Sequence, residues 1–475
     1  MNKENSNQSQ PTQSKLNRSL KLIYVYAIAA GAIFTFIGYW DSIFYEYCGS
    51  GTFLAFILMT LLILPIAFVY CEMAPLFPKA GGELIYNTVG INKHFGFLSA
   101  WLIMAAWIAV PPAAVMAIVQ WVFRVTGISS NFKVIEIIAA VLLIVYFILS
   151  LQNVEVAGKI QLVMLILAIS GCIIASLAFI FSGSWSLSNF SNFFDSQAKP
   201  ALGIPLWIIG LGFLITPFFG FETVPQMIEE GDFEMKDSNK AIWGSVVSCG
   251  VVYAFFFVGL GGMPVKALVE KGGAANGGFL AITMMEQLGG GWKVGAVLFG
   301  ICAILCAIGT CLLGFWLSTV RLLYAMGRSN FLPKSFAKLN KHHQPILPNI
   351  MLLVVSIVFL ILQNSGTFMN DFFNLMSFAC ACAYAITMIS AIRIHRKHSN
   401  WKSDYHLKGG NFVRYLALII SVVIAFFCTL GQGIGSWVSL AVYMGIGLIL
   451  WLWMVVIKWR KTKVVIDTPD GPTEF

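Results

Sequence analysis

Gly31-Ala32-Ile33-Phe34-Thr35-Phe36-Ile37-Gly38 interrupts the first apolar span of this chain, and Pro217-Phe218-Phe219-Gly220 interrupts the sixth, with Glu222 two residues further on. Inside a bilayer no water reaches the backbone, so an unwound stretch persists only where it lines a protein cavity. Interruptions in corresponding helices of two repeats point to a small-molecule site near the bilayer midplane, and hence to a carrier. Glycines that serve only close helix packing are the alternative for Gly31, Gly38 and Gly220.

The surrounding composition sets the class. Of 475 residues, 58% are hydrophobic and 11% charged, against about 25% charged in an ordinary soluble chain. Spans of ~20 apolar residues are the length a membrane helix needs. Twelve are read, near 21–45, 52–74, 94–124, 134–151, 155–182, 202–228, 240–263, 292–325, 347–363, 368–393, 412–431 and 436–458. Pro111-Pro112 is expected to kink the third. Residues 273–291 are too polar to span and read as an external re-entrant or surface helix.

The fold expected is therefore an all-α polytopic membrane protein of 12 transmembrane helices. Its core is a 5+5 inverted repeat with discontinuous helices 1 and 6, and helices 11–12 are appended. The division is a disordered cytoplasmic tail (1–20), a first repeat (21–182), a second repeat (202–393), helices 11–12 (411–459) and a cytoplasmic tail (460–475). The first span has no small-residue cleavage site and is expected to act as an uncleaved insertion signal.

Charge placement orients the chain. With both termini inside the cell membrane, only Arg124, Lys133, Lys199, Lys266, Lys271 and Lys293 of the 30 basic residues fall outside, as the positive-inside bias requires. The net charge of +9 is then a topogenic signal in contact with anionic lipid headgroups, and no nucleic-acid partner is implied. The ten cysteines lie almost entirely in apolar spans without metal-ligand or disulfide spacing. The histidines fall in loops or at a helix end, and there is no Ser/His/Asp or phosphate-loop pattern, so an enzyme is not expected. A channel would favour rings of inward charge, which the spans lack, and a transporter-like sensor would usually carry a long signalling extension, where the tails at 1–20 and 460–475 are short, so both are the less expected readings.

Three further stretches raise the reading to a family. They are Glu72-Met73-Ala74-Pro75-Leu76-Phe77-Pro78-Lys79-Ala80-Gly81-Gly82; Phe218-Phe219-Gly220-Phe221-Glu222-Thr223-Val224-Pro225 with Glu229-Glu230; and Arg321-Leu322-Leu323-Tyr324-Ala325-Met326-Gly327-Arg328. In this order and spacing, over about residues 20–460, the chain resembles the amino acid–polyamine–organocation (APC) superfamily of permeases. The resemblance implies a secondary carrier for an amino acid, working by alternating access as symporter or antiporter; an amine or polyamine is the alternative cargo. It implies no cofactor beyond a proton as candidate coupling ion, and a monomer or weak homo-oligomer.

Candidate residues follow from the breaks. A half-helix beginning at a break presents free N–H groups, and one ending there presents free C=O groups. The substrate carboxylate is expected near Thr35–Tyr39 and its ammonium near Ile215–Phe218. Thr35, Phe36, Gly38, Thr216, Phe218, Phe219 and Gly220 are the substrate-binding candidates. Glu222, an acid at membrane depth, is the first coupling candidate; a structural bond from its side chain to backbone freed by unwinding is the alternative. Asp41 and Lys159 are the other coupling or gating candidates, with Asp41 alternatively solvated at the external mouth. Arg321 and Arg328 are read as headgroup anchors, or else as a gate paired with Glu72 or Glu230. Gly81-Gly82 is expected to need a φ > 0 turn.

Against the family pattern, the first break has fewer glycines. Thr216 stands where many members carry an aromatic lid, a role open to Phe218 or Phe219, and Ala168 stands where proton-coupled members often carry lysine.

Overall fold

The computed structural model describes residues 16–475 except 36, 129–130, 194–204, 206, 209, 211–214, 273–278, 363–367 and 431. The first apolar span is two helices, α1 (Leu22–Ile33) and α2 (Asp41–Cys48), with non-helical backbone between them. Then come α3 (Thr52–Leu76), the short α4 (Glu83–Gly90), and α5 (Lys93–Thr126), which runs helical through Pro111 and Pro112. Next are α6 (Phe132–Ser150) and α7 (Val154–Ile180). Asparagine side chains start three consecutive helices: Asn92, Asn131 and Asn153 each accept a backbone N–H from the first turn that follows.

In the sixth span the described residues include a 3₁₀ turn at Thr216–Phe218, an irregular stretch, and then α8 (Thr223–Met227). After it come α9 (Ser238–Gly261), α10 (Lys266–Gly272) and α11 (Leu280–Leu288). The helix expected within 273–291 is α11; residues 273–278 of that call lie outside the described residues. α12 (Trp292–Arg328) is one long helix with a π-helical stretch at Ile301–Ile308. Such stretches are rare and concentrate at functional positions; hydropathy gives no sign of it. α13 (Ile346–Leu362), α14 (Phe368–Lys397), α15 (Gly410–Thr429) and α16 (Ile434–Lys458) complete the helices.

Among the described residues nine helices are long and apolar enough to cross a membrane. The chain is a polytopic helical membrane protein. Burial is inverted relative to a soluble protein: the apolar window of α5 is 94% buried and that of α6 only 11%. Ile137, Val141, Ile148 and Ile449 point outward, where lipid rather than water meets them. Tightly buried α1 packs on α7, α9 and α12, and α8 packs on α1 and α12. Both interrupted segments therefore sit at the centre.

Both ends carry structure that packs on the protein. Residues 16–20, assigned to the disordered tail, are seated: Leu16 and Leu20 are buried, and the backbone N–H groups of Ser19 and Leu20 donate to the Glu230 carbonyl at 3.0 and 2.9 Å. Residues 1–15 of that call lie outside the described residues. At the other end, β1 (Val465–Thr468) and β2 (Gly471–Glu474) pair antiparallel. The Pro469-Asp470-Gly471 turn chemistry explains the hairpin, and buried Val464 and Ile466 hold it on the protein.

Candidate functional site

A helix end leaves four carbonyls without partners in the helix. At the end of α1 all four are met. Ala30 O accepts from Phe34 N at 2.8 Å and from the Cys249 thiol, and Gly31 O accepts from the Thr310 hydroxyl at 3.3 Å. Ala32 O accepts from the Thr35 hydroxyl, and Ile33 O from the Tyr253 hydroxyl at 2.7 Å. The Tyr253 oxygen in turn accepts the Thr35 N–H at 3.0 Å. One phenol on α9 thus serves both a freed donor and a freed acceptor. Sequence reading missed it, because a tyrosine in an apolar span carries no local mark of its partner.

The second break is built likewise. Phe218 N and Phe219 N donate to the carbonyls of Ile215 and Thr216. The Gly220 N–H donates to Glu222 Oε2 at 2.8 Å, and the Trp107 indole donates to Glu222 Oε1 at 3.2 Å. Glu222 is fully buried, and its carboxylate is bonded to the backbone freed by unwinding, the geometry of the structural alternative.

The breaks touch. Gly220 has φ 143°, and a Cβ there would stand 2.8 Å from Ile33 N and 2.9 Å from Ala29 O. Gly220 thus lies against the end of α1, two positions before Thr35. The Thr216 hydroxyl is hydrogen-bonded to that of Ser377 on α14. Phe218 faces Phe56 and Tyr253, whereas Phe219 faces Tyr384 on α14. Gly38, with φ 91°, packs on Ala303 in the π-helical stretch, away from Gly220. Gly31 packs on Thr310. Phe36 lies outside the described residues.

Two coupling candidates stand elsewhere. Asp41 is fully buried, not solvated at an outer mouth. Its two oxygens accept the N–H groups of Leu280 and Ala281, each at 3.0 Å, so it caps the N-terminus of α11. Lys159 is 58% exposed and pairs with Glu155 one turn back on α7 at 2.8 Å.

The arginines of α12 are not headgroup anchors. Arg321 is fully buried and clasps Glu230 through Nε at 2.7 Å and Nη2 at 3.0 Å. Arg328 pairs with Glu229 at 2.5 Å and donates to Ala80 O, and Ala80 N donates back to Glu229. Glu72 pairs instead with Arg414 of α15. These bonds tie the end of the sixth span, the Gly81-Gly82 turn and the end of α12 into one closed layer. Gly81 and Gly82 have φ 137° and 40°, as expected of the pair. Arg321→Ala would leave Glu230 buried and unpaired, a loss of about 3–5 kcal/mol. We expect a markedly lower melting temperature in detergent.

Glu83 was also missed. It follows the Gly81-Gly82 motif by one position and is fully buried on α4. Its Oε1 accepts from the Tyr70 hydroxyl at 2.8 Å and its Oε2 from the Gln226 amide at 3.2 Å.

Among the described residues no group of His, Cys, Asp and Glu is placed to hold a metal ion.

A profile of the amino acid permease family matches residues 20–457. The glutamate/serine transporter AimA of Bacillus subtilis is 24% identical over 399 residues, covering 80% of this chain and 72% of the relative. The branched-chain amino acid permease BcaP of Lactococcus lactis is 25% identical over 363 residues, 72% of this chain and 74% of the relative. The aspartate-proton symporter of Bacillus subtilis is 24% identical over 457 residues, 93% of this chain and 84% of the relative. With two broken spans meeting at the centre of a helical membrane protein and a family match along nearly its whole length, this chain belongs to the amino acid permease family of the APC superfamily, transporters rather than enzymes.

Proposed function

We propose that this permease is a secondary active carrier of an amino acid, coupled to protons and working by alternating access about the two breaks. The observation that carries this reading is the contact of Gly220 with Ile33 and Ala29. The irregular backbone of the sixth span meets the last turn of α1 there, just before the first span unwinds, and side chains hold freed polar groups on each side. Those side chains stand in for a substrate. A carboxylate takes the Thr35 N–H from Tyr253, and protonation of Glu222 releases the Gly220 N–H. Binding then exchanges one set of hydrogen bonds for another rather than exposing bare peptide groups, which keeps the cost of opening low.

In this reading the chain makes twelve crossings in a 5+5 inverted repeat, 21–182 and 202–393, with 411–459 appended; nine long apolar helices and two shorter ones among the described residues support it. Basic-residue placement puts both termini in the cytoplasm. The Arg321–Glu230 and Arg328–Glu229 layer is then the cytoplasmic gate, and Asp41 fastens the external helix α11. An amine cargo loses support, since the Asp41 carboxylate is occupied by α11.

Uptake of each labelled amino acid into proteoliposomes, with and without an inward proton gradient, tests the proposal. We expect saturable uptake that accumulates only with the gradient. Non-saturating uptake would point to a channel, and saturable uptake indifferent to the gradient to an uncoupled exchanger.

A further inference from the structure

We propose that Glu83 is a second proton-binding carboxylate of this permease, and that the amide of Gln226, on the half-helix that follows the sixth-span break, reports its protonation state. This deepens the proton-coupled reading and rests on it for its place in transport.

Glu83 is fully exposed to neither water nor a cation. It has zero solvent exposure, and its side-chain partners are the Tyr70 hydroxyl and the Gln226 amide, both neutral donors. A buried carboxylate without a counter-charge is held more easily as the acid. The titratable groups facing it are Tyr70 from α3, Tyr86 on α4 itself, Glu222 before α8, and Cys380 and Tyr384 from α14. None of these is basic. Burial pushes the Glu83 carboxyl up to about 8, opposed by the hydrogen bonds it accepts. Its protonation change therefore falls within reach of physiological pH, outside the membrane-spanning helices.

The geometry of Gln226 supplies the independent observation. Its Nε2 donates to Glu83, but its Oε1 is buried without a partner. That arrangement suits an ionised Glu83 and leaves one acceptor orphaned. When Glu83 takes a proton from solvent onto Oε2, the new O–H needs an acceptor. Rotation of the amide by half a turn offers Oε1, and the orphan is then satisfied. No bond other than O–H forms or breaks, and the proton returns to solvent on release. The two protonation states thus select two amide orientations.

The amide is also well placed to pass this on. Gln226 follows Glu222 by four residues, one helical turn on the same face of α8. A Cβ on Gly82 would meet Gln226 Nε2 at 2.6 Å, so the amide is wedged against the glycine turn that carries α4. Movement of α8 during transport would carry Gln226 away from Glu83 and change the environment of its proton.

The test reads the carboxyl directly. Infrared difference spectra of the full-length protein in detergent, titrated from neutral to alkaline pH, should show a protonated-carboxyl band that is lost near pH 8. It should be absent in Glu83→Gln and displaced in Gln226→Met, which fills the same space without an amide. A band unchanged in both variants overturns the proposal. If Glu83→Gln does not fold, an unshifted band in Gln226→Met does so alone. A parallel arm measures uptake of a labelled mixture of the twenty standard amino acids into proteoliposomes. Loss of gradient-driven accumulation in Glu83→Gln with exchange retained supports the transport role. A titrating Glu83 band in a protein whose native uptake ignores the gradient overturns the coupling reading while the protonation site stands.

Discussion

Gly220→Val yields a folded permease that no longer binds its substrate. The expectation rests on two independent penalties. At φ 143° a β-branched residue is held in a region that L side chains rarely adopt, at a cost of order 1–3 kcal/mol. Its Cβ would also stand 2.8 Å from Ile33 N and 2.9 Å from Ala29 O, which are backbone atoms and cannot swing aside. The first and sixth spans must then separate where the proposed site requires them to meet. We expect at least ~100-fold weaker binding, measured by ligand-induced thermal shift in detergent, about 2.7 kcal/mol on the scale where 1.4 kcal/mol is tenfold. Native affinity in this variant would mean that substrate sits elsewhere.

Glu222→Gln should flatten the pH dependence of uptake and lower stability at once. The Gly220 N–H and the Trp107 indole both donate to Glu222, one to each oxygen. A carboxylate accepts from both. A glutamine has one oxygen and one NH₂ group, so one donor must face another donor in a fully buried place, a loss of about 1–3 kcal/mol. The stability loss follows from structure alone and does not speak to coupling. The pH profile does: in the proposed mechanism Glu222 gives up the Gly220 N–H on protonation, and glutamine cannot titrate. Proton-gradient-driven accumulation should vanish while exchange between equal pools persists. A native pH profile in Glu222→Gln would remove Glu222 from the proton path.

The two breaks were legible because their causes are local. Gly38 and Gly220 adopt the positive φ that glycine tolerates, and Pro217 sits within a short 3₁₀ turn. The same holds for Gly81-Gly82 and for the apolar spans themselves, since hydropathy is summed over neighbours in sequence. The hairpin at 465–474 was as local, and its Pro-Asp-Gly turn was there to be read.

The partners were not legible. Arg321 and Glu230 are 91 positions apart, and seven-residue spacing on a helix face is equally compatible with lipid headgroups and with a buried clasp. Asp41 reads as a solvated mouth residue until α11 arrives from nearly 240 positions away and takes both its oxygens. Glu83 and Tyr253 sit in unremarkable apolar surroundings, and only the packing of α4, α8 and α9 shows which freed or buried groups they serve. By itself the sequence determined the membrane class, the family and where the helices must break, because apolar run length, glycine conformation and proline chemistry act within a few residues. The tertiary structure alone decided what satisfies each freed peptide group and each buried charge, because a polar atom shut away from water takes whichever partner the fold brings within about 3 Å.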